Sequence, residues 1–300
     1  MRRVVAVGLF LAVLVALVAL ALFVRVRDLS TDGVPLTPLG VLPPDDRREE
    51  KVVGVVSRLA PSTLYDGYQP ILDYLGRTTP YRYRLRAARG YRETVEDLVA
   101  GRTQAAFLGS LLYVEAHAAY GVRPLVRPRN ALGQPLSESL VVVREDSPAR
   151  TLTDLAGRAV AVPSPDSFSA NWLRVAAPAS LSFRTLSFSH HEAVVRNVLR
   201  GVCDAGVVKE RAAAEYIGHG LRVLARSGPI PSAPLVVGHD ADPRFTDAIV
   251  KALLDLDPAR EEDRTILSGW DPEFAWGFAP ASDRDYDPVR ALGLTMREGR

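Results

Sequence analysis

Arg92-Glu-Thr-Val-Glu-Asp-Leu-Val-Ala-Gly101-Arg-Thr-Gln-Ala-Ala-Phe107 has a counterpart about one hundred residues later, His191-Glu-Ala-Val-Val-Arg-Asn-Val-Leu-Arg-Gly201-Val-Cys-Asp-Ala-Gly-Val207. In each copy a helix-period segment carries an aliphatic residue, Leu98 or Val198, three positions before a glycine. A polar residue, Gln104 or Asp204, stands three after the glycine, and an alanine then opens a short apolar strand. The glycine suits a helix C-cap, because a residue without Cβ adopts positive φ at little cost. A further helical pattern follows each strand, Leu111 to Tyr120 in the first copy and Lys209 to Ile217 in the second. Helix, turn, strand and helix in duplicate predict two similar α/β lobes, each with its own sheet. Two lobes make a cleft, and clefts bind ligands.

A chain of 300 residues with 47% hydrophobic content has enough apolar surface for a core, which excludes a disordered chain and a small disulfide scaffold. The formal charge is only +2, and lysine occurs only at Lys51, Lys209 and Lys251. No basic stripe with interleaved aromatics is present, so nucleic acid is not an expected partner. The single cysteine, Cys203, cannot form an internal disulfide and reads as a small buried hydrophobe at the start of a strand.

From Val4 to Val24 the chain runs for 21 residues without a charge, between Arg2 and Arg3 on one side and Arg25 and Arg27 on the other. That length spans a bilayer. Ala19-Leu20-Ala21 resembles a cleavage site but lies inside the apolar run, so residues 1–27 read as an uncleaved anchor in preference to a cleaved signal peptide. The flanking charges favour an N-inside orientation only slightly, and the body then lies outside the cytoplasmic membrane. Residues 28–50, rich in proline and charge, read as a flexible tether.

The body divides into lobe one, residues 51–138 and 235–300, and lobe two, residues 139–234, joined by two hinge crossings. Val52 to Val56 and Ala159 to Val162 read as strands, Pro61 to Leu75 and Arg244 to Leu256 as helices, and Trp270, Phe274, Trp276 and Phe278 as a cluster covering lobe one. Alternating strands and helices predict mainly parallel pairing.

Several segments in this order resemble the phosphonate and phosphite type of periplasmic solute-binding protein, from about Lys51 to Pro234. They are Tyr68-Gln-Pro-Ile-Leu-Asp-Tyr-Leu75, Ala106-Phe-Leu-Gly-Ser-Leu-Leu-Tyr113, Arg144-Glu-Asp-Ser147, Leu152-Thr-Asp-Leu-Ala-Gly157 and His190-His-Glu-Ala-Val-Val195. The resemblance implies a bilobal type 2 periplasmic-binding fold, no cofactor, a monomer, and the membrane subunits of an ABC importer as partners. Two departures stand out: the 171–184 segment is shorter than in the family, with Pro178 inside it, and Gln104 replaces a common acidic residue.

Within that frame, Pro165-Asp-Ser167-Phe168-Ser169 is a serine turn that opens a helix, where hydroxyls and unpaired amides hold an oxyanion without a cation. The residues alone favour Ser167 as a plain N-cap, and the resemblance favours ligand contact for Ser167, Phe168 and Ser169. Ser110 opens the corresponding helix on the other lobe. Tyr65, after the first strand, and Tyr113 are aromatic candidates, with a core position the alternative for Tyr113. His190 and His191 are either ligand donors or part of a helix start capped by Ser189. Adjacent histidines on a helix diverge by about 100°, so no metal site is expected. Asp204 is either a cleft acceptor or a strand-end carboxylate near Lys209.

The function expected is capture of a small oxyanion, phosphonate, phosphite or phosphate, without covalent chemistry. A membrane-tethered sensor of the same fold is the alternative. A serine hydrolase is disfavoured because no Gly-x-Ser-x-Gly elbow occurs, Ser110 being followed by Leu111 and Leu112.

Overall fold

The β-branched runs ending at Val56 and Val162 become the central strands of two separate sheets in the computed structural model, which describes residues 47–56 and 61–294. The apolar run Val4 to Val24 and most of the tether lie outside the described residues. Arg48 already bonds the body, donating to the Tyr81 carbonyl at 3.2 Å, so the tether ends a few residues earlier than expected.

The chain enters through β1 (Glu50–Val56), α1 (Pro61–Thr78), β2 (Arg82–Ala88), α2 (Tyr91–Val99), β3 (Ala105–Phe107), α3 (Ser110–Tyr120) and β4 (Arg123–Pro128). It crosses by β5 (Leu136–Ser137) to β6 (Ser139–Arg144), β7 (Ala159–Val162), α4 (Phe168–Ala176), β8 (Arg184–Ser187), α5 (His191–Leu199), β9 (Ala205–Lys209), α6 (Glu210–Ala213) and β10 (Leu221–Arg226). It returns by β11 (Ile230–Pro231) to β12 (Leu235–Val237), α7 (Pro243–Leu254), α8 (Glu261–Ser268), β13 (Phe278–Pro280) and α9 (Asp287–Ala291).

Strand order is β13-β4-β12-β3-β1-β2 in one sheet and β10-β6-β9-β7-β8 in the other. Five strands therefore correspond one to one, β2-β1-β3-β12-β4 with β8-β7-β9-β6-β10. In each lobe the central strand pairs in parallel with two neighbours, and the crossing strand, β12 or β6, runs antiparallel between the third and fourth strands. Pairing is thus mixed where mainly parallel pairing was expected. The cause is directional: a strand arriving from the other lobe starts at the cleft, where the parallel strands end. Ser139 at the start of β6 accordingly faces Lys209 at the end of β9.

The duplicated glycines do the same work in both lobes. Gly101 and Gly201 have φ of 71° and 72°. The amide after each glycine bonds five residues back, Arg102 to the Asp97 carbonyl at 2.8 Å and Val202 to the Asn197 carbonyl at 3.0 Å. Gln104 and Asp204 then tie the third strand to the central one, accepting from the Val52 and Ala159 amides at 2.8 and 2.9 Å.

Three expectations change. The second copy's helix is only the four residues of α6, with tight turns continuing to Ile217. The C-terminal segment does not belong to lobe one alone, because Val289 and Leu294 pack among Val141, Trp172 and Leu173 of lobe two. Leu111 of α3 joins the same cluster, so the lobes share apolar contacts as well as the hinge. Trp276 is not part of the lobe-one cover: Trp270, Phe274 and Phe278 are buried there, whereas Trp276 is 43% exposed.

Asp97 shows how the lobes diverge. Its carboxylate, 2% exposed, accepts from Arg86 and from Arg102 Nε at 2.5 Å. Burial alone raises its pKa, but the two guanidiniums outweigh burial and hold it below the usual carboxylate range. The counterpart Asn197 needs no charge, donating to the Ala193 carbonyl at 2.8 Å. A depressed folded pKa gives stability that is present above the unfolded value and lost as pH falls through the folded one. Asp97→Asn is therefore expected to cost about 1.5–3 kcal/mol near neutral pH, with the penalty shrinking below about pH 4, as measured by denaturant unfolding at both pH values. In lobe two, a Cβ on Gly206 would lie 2.5 Å from Val194 Cγ1 and 2.9 Å from Val198 Cγ2. Gly206→Ala is expected to cost about 1–3 kcal/mol, with part of the loss recovered by adding Val194→Ala in the same thermal melts.

Candidate functional site

Parallel strands that end at a cleft deliver every following helix with its N-terminus to that cleft. The first residues of four helices, Tyr91 of α2, Ser110 of α3, Phe168 of α4 and His191 of α5, line one inter-lobe cavity of about 40 Å³. The hinge serines Ser137 and Ser139, Lys209 at the end of β9, and Ile230 and Pro231 of the hinge ribbon complete its wall. First-turn amides have no intrahelical acceptor, and helix N-termini carry partial positive charge. A water needs about 10–15 Å³ of such space, so the cavity has room for a few waters.

Each wall is braced from behind. Ser167 caps α4, its Oγ accepting from the Ala170 amide at 3.1 Å and donating to the Ser164 carbonyl at 2.8 Å. Buried Asn171 donates to the Pro165 and Ser167 carbonyls at 2.9 and 2.8 Å, which holds the serine turn in place. Ser169 Oγ lies 2.7 Å from Ser139 Oγ. Ser110 Oγ forms no hydrogen bond with another protein group among the described residues, although the residue is buried. Ser137 is 7% exposed and its Oγ likewise lacks a protein partner.

The adjacent histidines separate into two roles. His190 Nδ1 accepts from the Ala193 amide at 3.2 Å and so caps α5 in place of Ser189. His191 Nδ1 accepts from the Lys209 amide at 3.0 Å, so the neutral ring carries its proton on Nε2, and the ring forms part of the cavity wall.

Ser110, Ser167, Phe168, Ser169 and His191 are thus brought together, while four other candidates lie elsewhere. Asp204 sits at the opposite end of β9 from Lys209, roughly 16 Å along the strand, bonded to Ala159. Strand direction, which the local pattern does not show, places it away from the cleft. Tyr113 is fully buried in lobe one, its hydroxyl donating to Asp283 at 2.6 Å and its ring 4.5 Å from that of Tyr286. Burial raises the Tyr113 pKa, and Asp283 raises it further. Tyr65 lies within α1 rather than in a loop, 48% exposed and outside the cavity wall. His190 is occupied by its cap. The sequence reading missed Tyr91, Ser137 and Ser139. Tyr91 was recoverable, since the repeat pairs it with His191 at the same offset, whereas the hinge serines carry no local signal.

Ion pairs cross the cleft among the described residues. Lys209 bonds Glu273, and Arg211 bonds Asp271, from lobe two to the loop after α8 in lobe one. Burial raises the Asp271 pKa against the opposing pull of Arg211. Removing one partner of a buried pair costs about 3–5 kcal/mol. Asp271→Asn combined with Glu273→Gln is expected to shift the ligand-free protein toward open lobes, read as a larger radius of gyration in X-ray scattering; an unchanged radius would show that apolar contacts alone hold the closure.

A family model described as ABC transporter, phosphonate, periplasmic substrate-binding protein matches residues 53–286. A binding protein component of an ABC phosphonate transporter from Pseudomonas aeruginosa is similar with a TM-score of 0.71 at 18% identity, over 82% of this chain and 86% of that one. The PhnD1 protein of Prochlorococcus marinus, solved with methylphosphonate, is similar with a TM-score of 0.69 at 16% identity, over 82% and 97%. With the matched segment spanning both sheets and the cavity between them, the chain belongs to the family of periplasmic substrate-binding proteins of phosphonate ABC transporters.

Proposed function

We propose that this protein is an extracytoplasmic receptor that captures a phosphonate, phosphite or phosphate oxyanion between its lobes and presents it to the membrane subunits of an ABC importer. The observation that carries the proposal is the convergence of four helix first turns on one cavity whose wall holds hydroxyls with no protein partner. A tetrahedral oxyanion presents mainly acceptors, and it accepts from amides at helix N-termini, from Ser110 and Ser137, and from His191. Among the described residues Lys209 is the one lysine or arginine in that wall, and it pairs with Glu273, so the described donors that an anion would meet are chiefly dipoles and hydroxyls. Closure removes water from the anion and strengthens each of these interactions. The methylphosphonate bound by the Prochlorococcus protein is a ligand of this chemical kind.

The apolar run Val4 to Val24 would anchor the receptor to the cytoplasmic membrane. The same anchor also suits a second reading, a tethered sensor that reports its ligand state to a signalling protein. Membrane fractionation before and after alkaline carbonate washing tests the anchor, which predicts retention in the pellet.

A thermal-shift screen against phosphate, phosphite, methylphosphonate, aminoethylphosphonate and sulfate tests the ligand class. A specific ligand at a hundredfold excess over Kd is expected to add about 2.7 kcal/mol of stability. Ser110→Ala, which removes no intraprotein bond, is expected to weaken binding by roughly ten- to a hundredfold while leaving the ligand-free melting temperature unchanged. Absence of stabilisation by every phosphorus oxyanion would overturn the proposal.

A further inference from the structure

Beside the inner cavity lies a second chamber of about 340 Å³. Ser137 and Lys209 stand in the walls of both, so the two spaces adjoin at those side chains. The inner cavity accommodates little more than an oxyanion head, whereas the chamber reaches the size range of pockets for organic ligands.

Three features of the chamber lack a structural explanation within the protein. Trp276 leaves the aromatic cluster formed by Trp270, Phe274 and Phe278, and its ring lies half exposed on the chamber wall. Leu132, 81% exposed, is held out at the tip of a turn that also lines the chamber. That turn is rigid: Asn130 Oδ1 accepts from both the Leu132 and Gln134 amides at 3.0 Å, and Gly133 supplies a φ of 73°. Ser137 Oγ, more than nine-tenths buried, waits without a partner where the two spaces meet. A buried hydroxyl without a hydrogen bond is costly, and large exposed apolar side chains that face one recess mark a place where something apolar binds.

We infer that the ligand is an organophosphonate with a bulky, ring-sized apolar substituent, its oxyanion held in the inner cavity and its substituent lodged in the outer chamber against Trp276. Ser137 donates to the phosphonate oxygen nearest the junction. Inorganic phosphate, phosphite and methylphosphonate fill only the inner space and leave the chamber to water. The inference rests on the oxyanion reading of the cleft and narrows it to one class of substituent.

The test compares phenylphosphonate with methylphosphonate on the full-length chain, by calorimetric titration of the wild type and Trp276→Ala. Stacking of a ring on Trp276 predicts that phenylphosphonate binds roughly three- to tenfold more tightly than methylphosphonate, before any gain from chamber burial. Trp276→Ala should abolish that preference and leave the methylphosphonate Kd within about twofold, which also shows that the variant is folded. Leu132→Ala should lower the same ratio. Binding of methylphosphonate with exclusion of phenylphosphonate overturns the inference alone, as does a preference that survives Trp276→Ala, which would assign Trp276 and Leu132 to a protein contact. Failure of both phosphonates to bind overturns the oxyanion reading itself and this inference with it.

Discussion

The amides of a helix's first turn have no partner inside the helix, and everything at this cleft follows from where those turns are put. Strand direction decides it. A strand that crosses from the other lobe begins at the cleft, so its parallel neighbours must end there, and each helix that follows starts there. The fold thereby concentrates unpaired donors and positive dipole ends in one closed space before any side chain is chosen. Anion recognition is then a property of topology that the serines refine. Leaving such donors dry is costly, so an anion that accepts from them would favour the closed lobes.

Closure is held by more than the hinge ribbon. Tyr286, between β13 and α9, donates to the Ser232 carbonyl beside the ribbon at 3.0 Å, and the segment beyond it inserts Val289 and Leu294 into lobe two. Leu111, one residue past Ser110, does the same from α3. The residue that offers a hydroxyl to the cavity is thus next to one that fastens the lobes together. A ligand held by Ser110 would therefore bear on a residue of the lobe contact directly beside it.

The repeat was legible because both copies obey the same local rules: a glycine at positive φ, an aliphatic residue before it, a polar residue after it. From those, two sheets and a cleft followed. What the residues around Asp204 did not reveal is which end of β9 faces the cleft, since a strand's neighbours are set by pairing with β6 and β7, far away in sequence. The same blindness hid Ser137, which lines the cavity because the two crossings pair there, and Ser139, which the pairing of β6 with β9 sets opposite Lys209. It also hid the placement of Tyr113, whose helix turns this ring toward Tyr286 and gives the cavity Ser110 and Leu111 instead. The N-terminal serine turn was readable, because helix starts announce themselves locally.

The two lobes solve the matching position differently. After β3 the chain reads Gly109-Ser110 and opens an eleven-residue helix, whereas after β9 it reads Lys209-Glu210 and opens a helix of four residues. A long helix contributes a dipole and free amides; a four-residue one contributes little of either, and in its place stands a cation. Lys209 is tied to Glu273 across the cleft, with its amide fixed by His191, so its charge is largely spent on closure rather than on the ligand. An anion entering the inner cavity meets lobe one as donors and lobe two as both serine turn and tethered lysine. When the lobes are shut Glu273 offsets the lysine's charge, so an anion there relies on amides and hydroxyls more than on the cation. The asymmetry between Ser110 and Lys209 therefore leaves donors from both lobes around the cavity, while the cation of lobe two is engaged in the contact between the lobes.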